Sequence, residues 1–189
     1  RRLPAVEALG SVTVVCTDKT GTLTRNEMTV QRLITSTGLC EVSGVGYAPE
    51  GACECAGQPV DAATMPLLGE LARAVVLCSD AALNHEGETW SVVGDPTEGA
   101  LLTLAAKLGV DASAERARWP RIDCIPFESE HRFMATLHHD DGERAWIVLK
   151  GAPERVLGLC ANTAGSDGSD DTQPLDDEAR AEILATLAA

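Results

Sequence analysis

Ser11-Val12-Thr13-Val14-Val15-Cys16-Thr17-Asp18-Lys19-Thr20-Gly21-Thr22-Leu23-Thr24 is the stretch from which the rest of the chain is read. Its β-branched opening predicts a buried strand over residues 11–16, and the polar residues after it predict a loop. A carboxylate just past a buried strand stands where open α/β sheets place their ligands. Gly21 permits a close turn, Thr20, Thr22 and Thr24 supply hydroxyls, and the loop amides are suited to cradle a phosphoryl group. Asp18 then has the position and chemistry of a carboxylate nucleophile that accepts phosphate. On the residues alone, a polar turn after a strand accounts for the same pattern.

The chain has 189 residues, with 15 Lys and Arg against 29 Asp and Glu, a formal net charge of −14. Hydrophobic residues at 44 % and charged residues at 23 % describe a globular composition with material for a sizeable core. The acidic balance speaks against a nucleic-acid partner or an anionic membrane surface, because each requires a cationic face. No run approaches the roughly 20 apolar residues that cross a bilayer. No secretory signal pattern opens the chain. Seven cysteines, several within apolar runs, predict buried reduced thiols. Cys53-x-Cys55 has the makings of a metal or redox pair, but no histidine or second Cys pair lies nearby at zinc-site spacing, and a plain loop with reduced thiols is the favoured reading.

Outward from the Asp18 loop, strands are expected over residues 28–35 and 41–47, followed by a loop-rich stretch marked by Gly44, Gly46, Pro49, Gly51 and Gly57. Leu68, Leu71, Val75 and Cys78 predict a helix over residues 64–79. A second helix has clear ends. Asp95 is its N-cap, Pro96 its first residue, Glu98 lies at capping-box spacing, and Gly109 stops it. Its apolar stripe is Leu101, Leu104, Ala105 and Leu108. Strands over residues 122–127, 133–138 and 144–149 follow, the last two joined by the hairpin signal Asp140-Asp141-Gly142. His138-His139-Asp140-Asp141 offers metal-ligand types, but on that turn it is expected to be solvated. Helices over residues 151–160 and 176–189 flank a flexible stretch at 161–173. The pattern is mixed α/β with an antiparallel middle.

Three further constellations bear on chemistry. Gly94-Asp95-Pro96-Thr97-Glu98-Gly99 is a capped helix start. Pro126-Phe127-Glu128-Ser129-Glu130-His131-Arg132 holds one of only two phenylalanines, at a strand end where a scarce aromatic reads first as core. Lys150-Gly151-Ala152-Pro153-Glu154 places a lysine between a strand and a helix start, where an anion or a snorkelling stem both fit. In so acidic a chain Lys150 and Arg132 would have to form a local positive spot for an anionic ligand. No Walker-type or dinucleotide glycine pattern competes.

Asp18-Lys19-Thr20-Gly21-Thr22-Leu23-Thr24 is identical to the phosphorylation signature of P-type cation-transporting ATPases. The flanks, Leu3-Pro4-Ala5-Val6-Glu7-Ala8-Leu9-Gly10-Ser11 and Arg25-Asn26-Glu27-Met28-Thr29-Val30, resemble the calcium- and sodium/potassium-pump branch. The similarity covers essentially the whole chain, in order. It implies that Asp18 is phosphorylated, with Lys19, Thr20 and Thr22 as further catalytic residues and with Asp18 and the Thr20 carbonyl supplying part of a Mg²⁺ shell. It implies ATP or ADP as ligand: Phe127 stacks on adenine, Glu98 and Thr97 approach it, Arg132 contacts the nucleotide, Lys150 lines the pocket and Gly151 allows nucleotide approach. Cys78-Ser79-Asp80-Ala81 resembles a family segment at lower specificity. Thr20 stands where related haloacid-dehalogenase-like phosphatases carry a second Asp, and its lack of an acid/base favours a long-lived phosphoenzyme over a hydrolase.

The fold implied is α/β (α+β): an antiparallel sheet flanked by helices, plus the first strand of an incomplete haloacid-dehalogenase-like phosphorylation domain. Residues 1–27 would be that N-terminal piece, and residues 28–189 a nucleotide-binding domain truncated at its C-terminal end. The implied partners are the remaining phosphorylation, actuator and transmembrane domains of the same pump, at the cytoplasmic side of a membrane. Alone, such a chain is expected not to phosphorylate itself, and residues 12–16 to be poorly anchored, or paired with another chain or a non-native surface. A non-catalytic nucleotide-binding or interaction module, or third a soluble phosphatase, remain as alternatives. The ion is not readable, since its ligands lie in the membrane part.

Overall fold

Leu68, Ala72 and Val76 recur every four residues and are wholly buried along α1 (Pro66–Leu77). In the computed structural model, which describes residues 13–14, 27–139, 144–164 and 172–188, this stripe faces two partners. One is a four-stranded antiparallel sheet in chain order, β1 (Arg32–Thr35), β2 (Gly38–Val42), β3 (Cys53–Cys55) and β4 (Gln58–Val60). The other is α2 (Pro96–Lys107), whose Leu102, Leu104 and Ala105, with Leu108 just beyond, join Leu33, Cys40, Val42 and Cys53 of the sheet in one core. Most of the circumference of α2 is buried, Gly99, Ala100 and Thr103 included, so the expected stripe is only part of its packed surface.

The hairpin of β5 (Ala82–Glu86) and β6 (Thr89–Val93) connects the two helices, and α3 (Ala112–Arg118) follows α2. A three-stranded antiparallel sheet comes next, with β8 (Phe133–His139) between β7 (Arg121–Glu128) and β9 (Ala145–Gly151). Met134, Thr136 and His138 alternate on the buried face of β8, as period-two strands require. That face meets the C-terminal end of α1: the Thr136 hydroxyl donates to the Leu77 carbonyl and the Cys78 thiol to the Met134 carbonyl. Then come α4 (Pro153–Leu159), the pair β10 (Asn162–Ala164) and β11 (Thr172–Pro174), and α5 (Asp177–Ala188). The architecture is mixed α/β, and every strand pair among the described residues is antiparallel. No helix among them is long and apolar enough to cross a membrane.

Several expectations change. The strand expected at 11–16 falls outside the described residues except for Thr13 and Val14, which are exposed and in no strand. The strands expected at 28–35 and 41–47 are shorter and shifted, β1 and β2. The loop-rich stretch contains β3 and β4. Cys55 is not a loop thiol; it is disulfide-bonded to Cys40, which lies directly opposite it across β2 and β3, while Cys53 is a free, buried thiol on β3. His138 is not solvated but 2 % exposed; its Nδ1–H donates to the Trp119 carbonyl, and its Nε2 shares a hydrogen bond with the Thr136 hydroxyl, both at 2.9 Å. His139 is exposed, and the Asp140–Asp141 part of the turn lies outside the described residues.

The ends of α2 obey local rules. The Asp95 carboxylate accepts from the Thr97 and Glu98 amides at 2.8 and 3.2 Å, and Gly109, at φ +83°, closes the far end with the Val110 amide donating to the Ala105 carbonyl. Burial raises the Asp95 carboxyl, but the helix amides, the Thr97 hydroxyl and the Lys150 charge outweigh it and hold it below its ordinary value. Its capping contribution is therefore present above the unfolded carboxylate range, near pH 4, and is lost as pH falls through the lower folded value. Asp95→Ala is expected to cost about 1 kcal/mol in urea unfolding at neutral pH, with the deficit against the parent chain closing in acid. Gly99→Ala is expected to cost about 1–3 kcal/mol by overpacking, because a Cβ there collides with the Val92 methyls and comes within 3.1 Å of the Tyr47 ring.

Candidate functional site

Glu98 sits in the first turn of α2, where its spacing from Asp95 suits a capping box. Instead of reaching back, its carboxylate reaches across. One oxygen accepts from the Asp80 and Ala81 amides at 2.8 and 2.9 Å, and the other meets the Lys150 ammonium at 2.6 Å. The side chains of Glu98 and Lys150 are 12 % and 26 % exposed. This carboxylate thus ties three segments together: the start of α2, the loop after α1 and the end of β9.

That loop is itself held from beneath by two arginines. Arg116 of α3 donates to the carbonyls of Ser79 and Ala81 at 3.1 and 3.0 Å. Arg121 at the start of β7 donates to the carbonyls of Leu77 and Ser79, both at 3.0 Å, and pairs with the Asp80 carboxylate. Cations at the C-terminal end of α1 satisfy carbonyls that the helix leaves free and complement its dipole. Burial, and then the charge of Arg121, push the Arg116 guanidinium below its ordinary value, against the pull of Asp80 and Glu98. Spacing carried no sign of these two arginines. Cys78-Ser79-Asp80-Ala81 was the visible trace of the loop they organise.

The register of the second sheet gathers further residues at one end. Met134 pairs with Lys150, Phe133 with Gly151, and Glu128 with Phe133 past a bulge that contains Phe127. Phe127 is 60 % exposed, so it is not the core aromatic that its strand position first suggests. Arg132 closes the turn from β7 to β8 in the left-handed region, at φ +56°, and its guanidinium pairs with Glu154 in the first turn of α4 at 2.6 Å. Its carbonyl accepts from the Ala152 amide at 2.9 Å, so the turn is tied to the residues after β9 twice. Gly151 has a reason within the sheet, since a Cβ there would collide with the Arg132 carbonyl and lie 2.6 Å from Phe133 Cβ. Thr97 is at the start of α2, its amide on Asp95 and its hydroxyl directed to Met28 sulfur at 3.4 Å.

Phe127, Arg132, Lys150 and Gly151 thus share one sheet end, with Glu98 joined to them through Lys150. The expected positive spot is not bare: Lys150 and Arg132 each hold a carboxylate. Asp18, Lys19, Thr20 and Thr22 lie outside the described residues.

This arrangement has relatives. Residues 67–189 match the family described as P-type ATPase, cytoplasmic domain N. The chain is 49 % identical over 173 residues to cation-transporting ATPase pma1 of Synechocystis sp., covering 89 % of this chain and 19 % of that protein. It is 46 % identical over 185 residues to probable cation-transporting ATPase F of Mycobacterium tuberculosis, covering 97 % and 20 %. It is 40 % identical over 164 residues to calcium-transporting ATPase type 2C member 1 of Homo sapiens, covering 85 % and 17 %. The chain spans about a fifth of the length of these curated relatives. On both the match and the identities, the chain belongs to the P-type cation-transporting ATPases.

Proposed function

We propose that this chain binds ATP or ADP where Phe127, Arg132, Lys150 and Gly151 converge, and that Asp18 is the phosphoacceptor of a pump that moves cations across a membrane. The observation that carries the binding reading is Phe127, one of two phenylalanines, left in water on the β7 bulge at the same sheet end as Lys150. An exposed aromatic face suits a nucleobase, and nearby cations suit phosphates. Phe127 would stack on the base, and Glu98 and Thr97 would face the adenine edge. Arg132 and Lys150 would exchange Glu154 and Glu98 for phosphate or ribose oxygens. Gly151 keeps that end of β9 free of a side chain.

For the pump as a whole, an Asp18 carboxylate oxygen would bond to the γ-phosphorus as the bond to the ADP oxygen breaks, with Lys19, Thr20 and Thr22 around it. Mg²⁺, held in part by Asp18 and the Thr20 carbonyl, would supply charge neutralisation on the phosphates. In this reading residues 1–27 belong to the phosphorylation domain and residues 28–189 to the nucleotide-binding domain. The partners are the remaining phosphorylation, actuator and transmembrane domains, and the chain lies at the cytoplasmic face of the membrane.

Calorimetric titration of the chain with ATP tests the binding half. Phe127→Ala is expected to weaken binding by about 1–3 kcal/mol, the worth of a base–aromatic stack, and Lys150→Ala to weaken it as well. Unchanged affinity in both variants overturns the assignment. In the complete pump, γ-labelled ATP with Mg²⁺ is expected to give an acid-stable label that hydroxylamine removes and Asp18→Asn abolishes. A label that persists in Asp18→Asn places the phosphoacceptor elsewhere.

A further inference from the structure

The core of the first sheet holds a cluster that the nucleotide reading does not use. Cys40 on β2 and Cys55 on β3 are register partners with Cα atoms 4.2 Å apart, and Cys53 precedes Cys55 by two residues, on the same face of β3. The three sulfurs lie within 4.8 Å of one another. Cys40 and Cys53 are 0 % and 1 % exposed, while Cys55 is half-buried. Cys53-x-Cys55 alone lacked a further donor at zinc-site spacing; the sheet supplies it from 15 residues before Cys55.

We propose that, with the Cys40–Cys55 disulfide reduced, Cys40, Cys53 and Cys55 form a three-thiolate site for a divalent d¹⁰ cation of the zinc and cadmium class. Zn–S bonds of about 2.3 Å put three sulfurs around one ion roughly 3.8–4.0 Å apart; the Cys53 sulfur lies within 4.8 Å of both others, and Cys40 and Cys55, bonded to each other in the disulfide, separate on reduction. Thiolates select such ions, whereas Mg²⁺ and Ca²⁺ demand oxygen ligands, so this site is separate from any Mg²⁺ of phosphoryl transfer. A divalent ion leaves the cluster with one net negative charge and a monovalent ion with two, and the surrounding Leu33, Val42 and Leu68 favour the smaller charge. Two strands of one sheet set the donors, and the half-buried Cys55 gives the ion a way in.

Loading begins with reduction. A dithiol reductant gives two electrons and closes into its own disulfide, while its two protons go to the sulfurs of Cys40 and Cys55. Three S–H bonds then break, three S–metal bonds form, and three protons pass to solvent. The disulfide and the bound ion exclude each other, so occupancy follows the redox state of the surroundings.

The test is anaerobic titration of the whole chain with Cd²⁺ after reduction by a phosphine, read by thiolate-to-cadmium charge-transfer absorption and by metal content after desalting. The reduced chain is expected to hold one ion with a three-thiolate band, and the disulfide form none. Cys53→Ser and Cys55→Ser are each expected to lose part of the band and most of the retained metal, while Cys124→Ser, exposed on β7, leaves both unchanged. If the wholly buried Cys53 does not tolerate replacement, the half-buried Cys55 keeps the test readable. No band in the reduced chain overturns the site. So does a band that survives the Cys53→Ser, Cys55→Ser double variant with its far-ultraviolet circular dichroism intact, or cadmium held by the disulfide form.

Discussion

The Glu98 carboxylate is the interaction on which the rest of the arrangement depends. It accepts two amides of the loop after α1 and one ammonium from β9, and it projects from the first turn of α2. Three segments distant in sequence therefore share one anion. Two of them need it: the part-buried Ala81 amide without an acceptor and the half-buried Lys150 ammonium without a counter-charge both carry a desolvation cost. Removing one member of a fully buried pair costs about 3–5 kcal/mol, and a pair partly open to water costs less. The two arginines beneath extend the same logic, since the carbonyls at the end of α1 are taken by Arg116 and Arg121 while Asp80 balances Arg121. The joint between the first core and the second sheet is thus built from backbone polar groups and ions, in a molecule whose bulk is held by apolar burial.

What was legible in the sequence was what acts locally. Asp95, Pro96 and Gly109 exert their effects within a turn, and the ends of α2 lie where they indicate. Turn chemistry in an unusual spelling was not legible. The β3–β4 hairpin turns through Ala56 and Gly57, both at positive φ, and an alanine there gives no warning. The β5–β6 hairpin turns through Gly87 and Glu88, a quieter signal than Asn-Gly. The mixed α/β class and the antiparallel middle were readable, whereas the meeting of Phe127, Arg132 and Lys150 at one sheet end comes from strand register. What each of them touches was not readable. Glu154 lies 22 residues from Arg132, and Glu98 lies 52 from Lys150. Such pairings come from strand register and helix packing, which no short spacing encodes. The burial of His138 was missed for the same reason: its partners are the Trp119 carbonyl and a hydroxyl made to face it by the pleat.

Gly151 shows how a glycine can serve two demands. The resemblance attributes it to ligand approach, while the sheet already forbids a side chain there, against Arg132 and Phe133. Arg132 itself holds a backbone conformation that costs a non-glycine residue energy, and it is kept there by the Ala152 amide and the Glu154 carboxylate. The turn that presents this guanidinium is therefore fixed by its neighbours.

The neutralised cations have a consequence for encounter kinetics. Lys150 and Arg132 each lie against a carboxylate, Glu128 and Glu130 stand exposed at the same sheet end, and the chain carries −14. With Lys150 and Arg132 each paired, Arg155 over the Phe133 ring is the further cation at this sheet end, and the net charge gives a polyanion little long-range attraction beyond the Debye length of about 8 Å at physiological salt. Added salt screens the residual repulsion, so association should quicken slightly with ionic strength, opposite to the behaviour of a basic phosphate cleft. In the proposed nucleotide reading, recognition at this sheet end would fall to contact: the aromatic face, and the local exchange of one anion for another.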